Sequence, residues 1–166
     1  MWCVLQVKTG EETKVKSRLS EMGFPAAVPR ENRLQRQGGG WTRKEYTLFP
    51  SYVFVELTYT AENYYKIKEI PSVIRFLGSS LCPDSLSFLE VEWLKILASN
   101  GDAIEPTKVR IAEDGKAEIL EGALSSFKNK IQKIDKHKRR ATFEITICNV
   151  PKEIELSIIP EDEIET

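Results

Sequence analysis

From Trp2 to Val7 the chain is apolar at every position but Gln6. A strand wetted on one face alternates, so this near-continuous run predicts a central strand covered on both sides. Thr9 stands three residues before Glu12, the spacing of a capping box in which the threonine hydroxyl accepts from the third helical N–H. Val15, Leu19 and Met22 follow at helical spacing, and Gly23 is placed to close the helix in left-handed geometry. From residue 26 to 44 the pattern turns polar and basic. Two extended arms around Gly38-Gly39-Gly40 predict a hairpin whose glycine tip projects from the domain. Residues 46–57 predict a second buried strand with Pro50 at its entrance. Residues 61–69 read as a helix, 73–77 as a short strand closed by Gly78, and 86–98 as an amphipathic helix with Leu86, Leu89, Trp93 and Leu97 inward.

Beyond residue 100 the period becomes two. Phe143, Ile145 and Ile147 alternate with Thr142, Glu144 and Thr146; Ile154, Leu156 and Ile158 alternate with Glu153, Glu155 and Ser157. Shorter strands are expected at 109–111, 117–119 and 131–134, and an acidic, frayed tail at 161–165. The expected class is α+β. An N-terminal α/β sandwich (an antiparallel sheet with helices) fills 1–100, a linker 101–107, and a small antiparallel β-barrel 108–166.

Composition narrows the function. With 24 Lys and Arg against 25 Asp and Glu, net −1, the chain is no globally basic nucleic-acid coat, so any such contact must come from local segregation of charge. Cys3, Cys82 and Cys148 are far apart, no Cys-x-x-Cys exists, and His137 is the only histidine, so neither a metal site nor a cofactor is expected. The thiols are read as reduced, no segment reads as a secretory signal or membrane span, and the expected location is cytoplasmic. No nucleophile–base pair is evident and the triple glycine is not followed by Lys-Ser/Thr, so no enzyme is expected.

Three constellations remain. Lys128, Lys130, Lys133, Lys136, His137, Lys138, Arg139 and Arg140 face a single acid, Asp135, and are the candidate RNA-binding group, set against the plainer reading of a solvated loop. Arg30, Arg33, Arg36, Arg43 and Lys44 on the hairpin are a weaker basic signal, a candidate contact for DNA or polymerase, or simply a mobile arm. Phe49, Pro50, Tyr52, Tyr64 and Tyr65 are core residues, or a protein-docking patch if one sheet face lacks cover.

These residues together resemble the NusG family over essentially the whole chain. Trp2-x-Val4-Leu5-Gln6-Val7-x-Thr9-Gly10-x-Glu12 looks like the opening of its N-terminal (NGN) domain. Leu48-Phe49-Pro50-Ser51-Tyr52-Val53-Phe54-Val55 is similar to its most recognisable strand, and Ile70-Pro71-x-Val73-x-x-Phe76-Leu77-Gly78 to the segment that closes that domain. The second domain resembles a KOW barrel, although Ser126 and Asn129 stand where glycines are common and Ala123 where proline is usual. The run Lys133-Ile134-Asp135-Lys136-His137-Lys138-Arg139-Arg140-Ala141 resembles the LoaP-type antiterminators most. A monomer is expected, and the resemblance implies that its first domain binds the clamp helices of RNA polymerase through a surface including Phe49 and Tyr52. It implies suppressed pausing and terminator read-through, with the KOW domain recognising a leader RNA hairpin and non-template DNA as a further candidate contact. The alternatives are a housekeeping elongation factor whose barrel docks the ribosome or Rho, and a ribosome-associated KOW protein.

Overall fold

The computed structural model describes residues 1–79 and 82–163. The chain divides into two compact units, one made of Met1–Pro29 with Thr47–Gly101, the other of Arg30–Tyr46 with the chain from Asp102 onward.

In the first unit, β1 (Trp2–Val7), β2 (Ala26–Ala27), β5 (Tyr52–Glu56) and β6 (Val73–Phe76) form an antiparallel sheet in the order β2-β5-β1-β6. Cys3, Leu5, Val7, Val53 and Val55 bury one face together with Val15 and Leu19 of α1 (Glu12–Glu21) and Ile67 of α2 (Ala61–Lys68). Val4 and Phe54, register partners on the other face, are also fully buried, as the near-continuous apolar run required. Burial pushes the Cys3 thiol up to about 11, so this cysteine is a small hydrophobe and not a nucleophile.

Local chemistry moves several boundaries. Thr9 does not cap α1. The helix starts at Glu12, so Thr9 falls outside the capping position, and its hydroxyl meets that of Ser51 at 2.5 Å. Glu12 does the tying instead, its carboxylate accepting from the N–H groups of Gly10 at 3.0 Å and Ser51 at 2.8 Å. At the other end Gly23 sits at φ +87°, and Gly23 and Phe24 donate to the carbonyls of Ser20 and Leu19, a Schellman motif as expected from sequence. The predicted strand over 46–57 is interrupted. Ser51 takes φ +70° and Tyr52 N–H bonds back to Phe49 C=O at 3.1 Å, so Pro50 lies in a turn rather than at a strand entrance. Helix α3 (Phe88–Ala98) begins one residue after Ser87, which forms a reciprocal capping box with Glu90. That start leaves Leu86 outside the helix, though buried, and turns Leu89 outward at 55% exposure; Glu90, Trp93, Leu94 and Leu97 form the buried face.

The second unit contains the hairpin of β3 (Arg30–Gln37) and β4 (Gly40–Thr47) as far as Tyr46, which the sequence reading attached to the first domain. Its tip is a two-residue turn with Gly38 at φ +59° and Gly39 at φ +82°, both positive as a type I′ turn requires. Residues read as linker are structured here: Ile104 is buried, donates to Arg30 C=O at 2.7 Å and accepts from Asn32 N–H at 2.8 Å. The other strands, β7 (Thr107–Ile111), β8 (Ala117–Glu121), β9 (Ile131–Asp135), β10 (Arg140–Ile147) and β11 (Val150–Pro160), form a curled sheet in the order β8-β7-β11-β10-β9. It is antiparallel except where the end of β11 runs parallel to β7, pairing Ile158 with Thr107. The 3-10 segment Ala123–Lys130 contributes Leu124 and Phe127 to the core, with Phe127 stacked on Phe143 at 4.6 Å. Of the acidic tail, Glu161–Glu163 is a 3-10 turn, whereas Ile164 and Glu165 lie outside the described residues.

One glycine is fixed by both conformation and space. Gly122 has φ +137°, and a Cβ there would lie 2.7 Å from the Cα of Thr107, a fully buried residue whose hydroxyl accepts from Leu124 N–H. Gly122→Ala is expected to destabilise by about 2–5 kcal/mol, from backbone strain and overpacking together. A urea titration checks this, and an unchanged midpoint would contradict it.

Candidate nucleic-acid interface

The turn between β9 and β10 is set by Asp135, whose carboxylate accepts from Lys138 N–H at 3.0 Å. That backbone hydrogen bond is the main reason its carboxyl titrates below the usual carboxylate range, with Lys133 and Lys138 adding to it. The stabilisation is therefore present at neutral pH and disappears as pH falls through the lowered value. With its one acid turned to the backbone, the turn leaves Lys136, His137 and Lys138 exposed, alongside Lys133 on β9 and Lys128 and Lys130 just before it. Because β9 is an edge strand, these side chains lie along an open border of the sheet.

Arg139 and Arg140 are placed otherwise, and correct their expected grouping with the lysines. Arg139 takes φ +56°, is only 11% exposed, lies 4.0 Å over the Trp41 ring and pairs with Glu163. Burial, with Arg36 nearby, depresses its guanidinium from the ordinary arginine value. Arg140 is drawn inward by Glu31, which is 1% exposed. The Glu31 carboxylate accepts from Arg33 Nε at 2.6 Å and from Ser157 N–H at 3.0 Å, and stands 3.9 Å from Arg140 Nη1. Arg140 Nη2 donates to Leu34 C=O at 3.4 Å, and Ser157 Oγ accepts from Leu34 N–H at 3.1 Å. Burial depresses the Arg140 guanidinium, with Arg33 adding to it and Glu31 opposing, and its Nη1 finds no hydrogen-bond partner among the described residues.

The hairpin cations divide similarly. Arg33 is stacked 4.6 Å over Tyr46 and paired with Glu31, so this DNA candidate is structural. Arg36, Arg43 and Lys44 are exposed, Arg43 loosely paired with Glu105 at 3.5 Å and Lys44 lying 5.5 Å from the Tyr46 ring. Glu31 and Trp41 escaped the sequence reading because an arm so polar shows no apolar stripe; the lone tryptophan beside a glycine tip was the signal available.

In the first unit, Phe49 is a core residue, 5% exposed and edge-on to Phe54 at 5.4 Å, which agrees with the core reading of its residue type and corrects the exposed docking surface that the resemblance implied. Pro50 is exposed and Tyr52 half-buried. Tyr64 stacks on Phe76 at 5.0 Å and carries Tyr65, 63% exposed, and Tyr59, 38% exposed, edge-on against it. Among the described residues no group of His, Cys, Asp and Glu could hold a metal, and no helix is long and apolar enough to cross a membrane.

The two units, one an antiparallel sheet with helices and the other a curled sheet bordered by lysines, define an α+β protein with a local basic surface. Comparison with known proteins makes that class specific. The chain is 24% identical to the Transcription termination/antitermination protein NusG of Rickettsia bellii, covering 94% of this chain and 86% of that one. It is 27% identical to the protein of the same name from Streptococcus pyogenes serotype M1, covering 96% and 95%. A solved structure of Thermotoga maritima NusG shares the fold at a TM-score of 0.57 and 23% identity, covering 95% of this chain and 93% of that one. Residues 1–95 match the family described as Transcription termination factor nusG. The chain belongs to the NusG family of transcription termination/antitermination factors.

Proposed function

We propose that this chain is a specialised antiterminator of the LoaP type, whose second unit binds a structured leader RNA while its first unit binds RNA polymerase. The observation that carries the RNA half is the exposed row of Lys133, Lys136 and Lys138 on an edge strand and its turn, with Lys128 and Lys130 close in sequence. Cations crowded this way repel one another, and phosphates relieve that repulsion while releasing counterions. Duplex RNA hides its base edges in a deep narrow groove, so selectivity should come from hairpin shape and an unpaired loop. The polymerase half is supported by the exposed Tyr59 and Tyr65 packed on Tyr64, with Pro50 and Tyr52 as further candidates for contact with the clamp helices. Arg36, Arg43 and Lys44 remain the hairpin residues suited to non-template DNA. A monomer suffices, because RNA captured by one unit raises the effective concentration of the other at polymerase.

The test is a titration of the full chain with a stem-loop RNA across a range of salt. For about four to six neutralised phosphates, log K should fall with log salt at a slope of about −3 to −5. A flat dependence would discard the lysine surface. A second reading, a general elongation factor whose second unit docks protein, is favoured by the plain NusG names of the full-length relatives. It calls for binding to the ribosome or Rho and indifference to structured RNA.

A further inference from the structure

The basic turn of the second unit borders a cleft of about 660 Å³, lined by Arg36, Trp41, Arg110, Lys136, His137 and Arg139 and closed by the 3-10 turn Glu161–Glu163. One carboxylate of that turn sits in a guanidinium fork and a second is paired with another arginine. Glu161 accepts from Arg110 Nε at 2.9 Å and Nη2 at 3.3 Å, while Glu163 pairs with Arg139. Arg139 lies 4.0 Å over the Trp41 ring, and Arg36 stands 5.9 Å from the same ring. A guanidinium fork that holds a carboxylate fits a phosphate oxygen pair equally well, and an indole flanked by guanidinium groups suits a stacked base.

We propose that this cleft is a second RNA site, taking a single-stranded stretch beside the stem, and that Glu161 and Glu163 occupy it as intramolecular stand-ins for two phosphates. The RNA reading above is assumed. The Arg110–Glu161 pair, 55% and 48% exposed, is weak and readily exchanged, and Glu163 is itself 46% exposed although its partner Arg139 is largely buried. Phosphates that displace them bring counterion release and a base to continue the stack on Trp41 and Arg139. The lysine border would hold the stem, and the cleft would read the unpaired segment.

The experiment measures anisotropy of a fluorescein-labelled RNA stem-loop with a single-stranded loop, using the full chain. E161Q/E163Q should tighten binding about 3- to 10-fold at low salt and steepen the salt slope by about 1–2. E144Q/E153Q changes net charge equally on β10 and β11, and should shift affinity less than about two-fold. Trp41→Ala should weaken binding about 5- to 100-fold, with Trp41→Phe restoring most of it and thermal melts confirming the fold. RNA bound by the wild type but indifferent to Trp41→Ala, or tightened equally by both charge pairs, overturns the cleft and leaves the lysine surface standing. RNA bound by neither the wild type nor E161Q/E163Q overturns both.

Discussion

Glu31→Ala should lower the stability of the second unit by about 3–5 kcal/mol, the cost of breaking a buried ion network from its centre. The carboxylate satisfies Ser157 N–H and Arg33 Nε and faces Arg140, so its removal strands a buried backbone donor and two guanidinium groups. Glu31→Gln keeps an acceptor for Ser157 but loses the charge facing both arginines, and should fall between wild type and alanine. The Glu31–Arg140 coupling is separable by a double-mutant cycle with Arg140→Met. Because Arg140 Nη1 already lacks a hydrogen-bond partner among the described residues, the double variant should recover part of the single loss. Urea midpoints decide the matter, and a Glu31→Ala midpoint equal to wild type would remove the network from any account of stability.

Lys133→Glu/Lys136→Glu/Lys138→Glu should reduce affinity for structured RNA by about 100-fold or more at low salt and flatten the salt slope by about 2–3, because three phosphate contacts become repulsions. All three side chains are exposed, so melting temperature should hardly move. The corresponding reversal of Arg139 and Arg140 is a poorer probe. Arg140 is 16% exposed beside Glu31, and Arg139 is 11% exposed on Trp41, so that variant would lose binding by unfolding. Triple-variant affinity within about three-fold of wild type would shift the proposal to protein docking.

Where hydrophobic period and local chemistry agree, the sequence announced the structure. β1 was legible because it is apolar on both faces, β10 because strict alternation buries Phe143, Ile145 and Ile147, and the end of α1 because only the residue at Gly23 takes φ +87° without strain. Segment 46–57 failed in its middle and segment 86–98 at its start. The left-handed Ser51 and the Ser87–Glu90 box act through hydrogen bonds that leave no periodic trace. The lysine border was legible as a run of like charge. The withdrawal of Arg140 was not, since it depends on Glu31, more than a hundred residues away in the chain, nor was that of Arg139, which depends on Trp41 and Glu163. The exposed docking role that the resemblance gave Phe49 failed for a related reason: its motif marks a turn, and only the fold shows that its ring meets Phe54.

The hairpin donated to the second unit constrains how the chain can be made and cut. Glu31 meets Ser157 across a separation of 126 residues, so a ribosome releases β3 and β4 long before the strand they must meet exists. The arm waits with a charged, glycine-tipped surface rather than a greasy one, which guards against aggregation meanwhile, and its late docking should make closure of this unit slow. Severing the chain at residue 101 would leave the C-terminal piece without the acid that neutralises Arg140 and without the indole under Arg139.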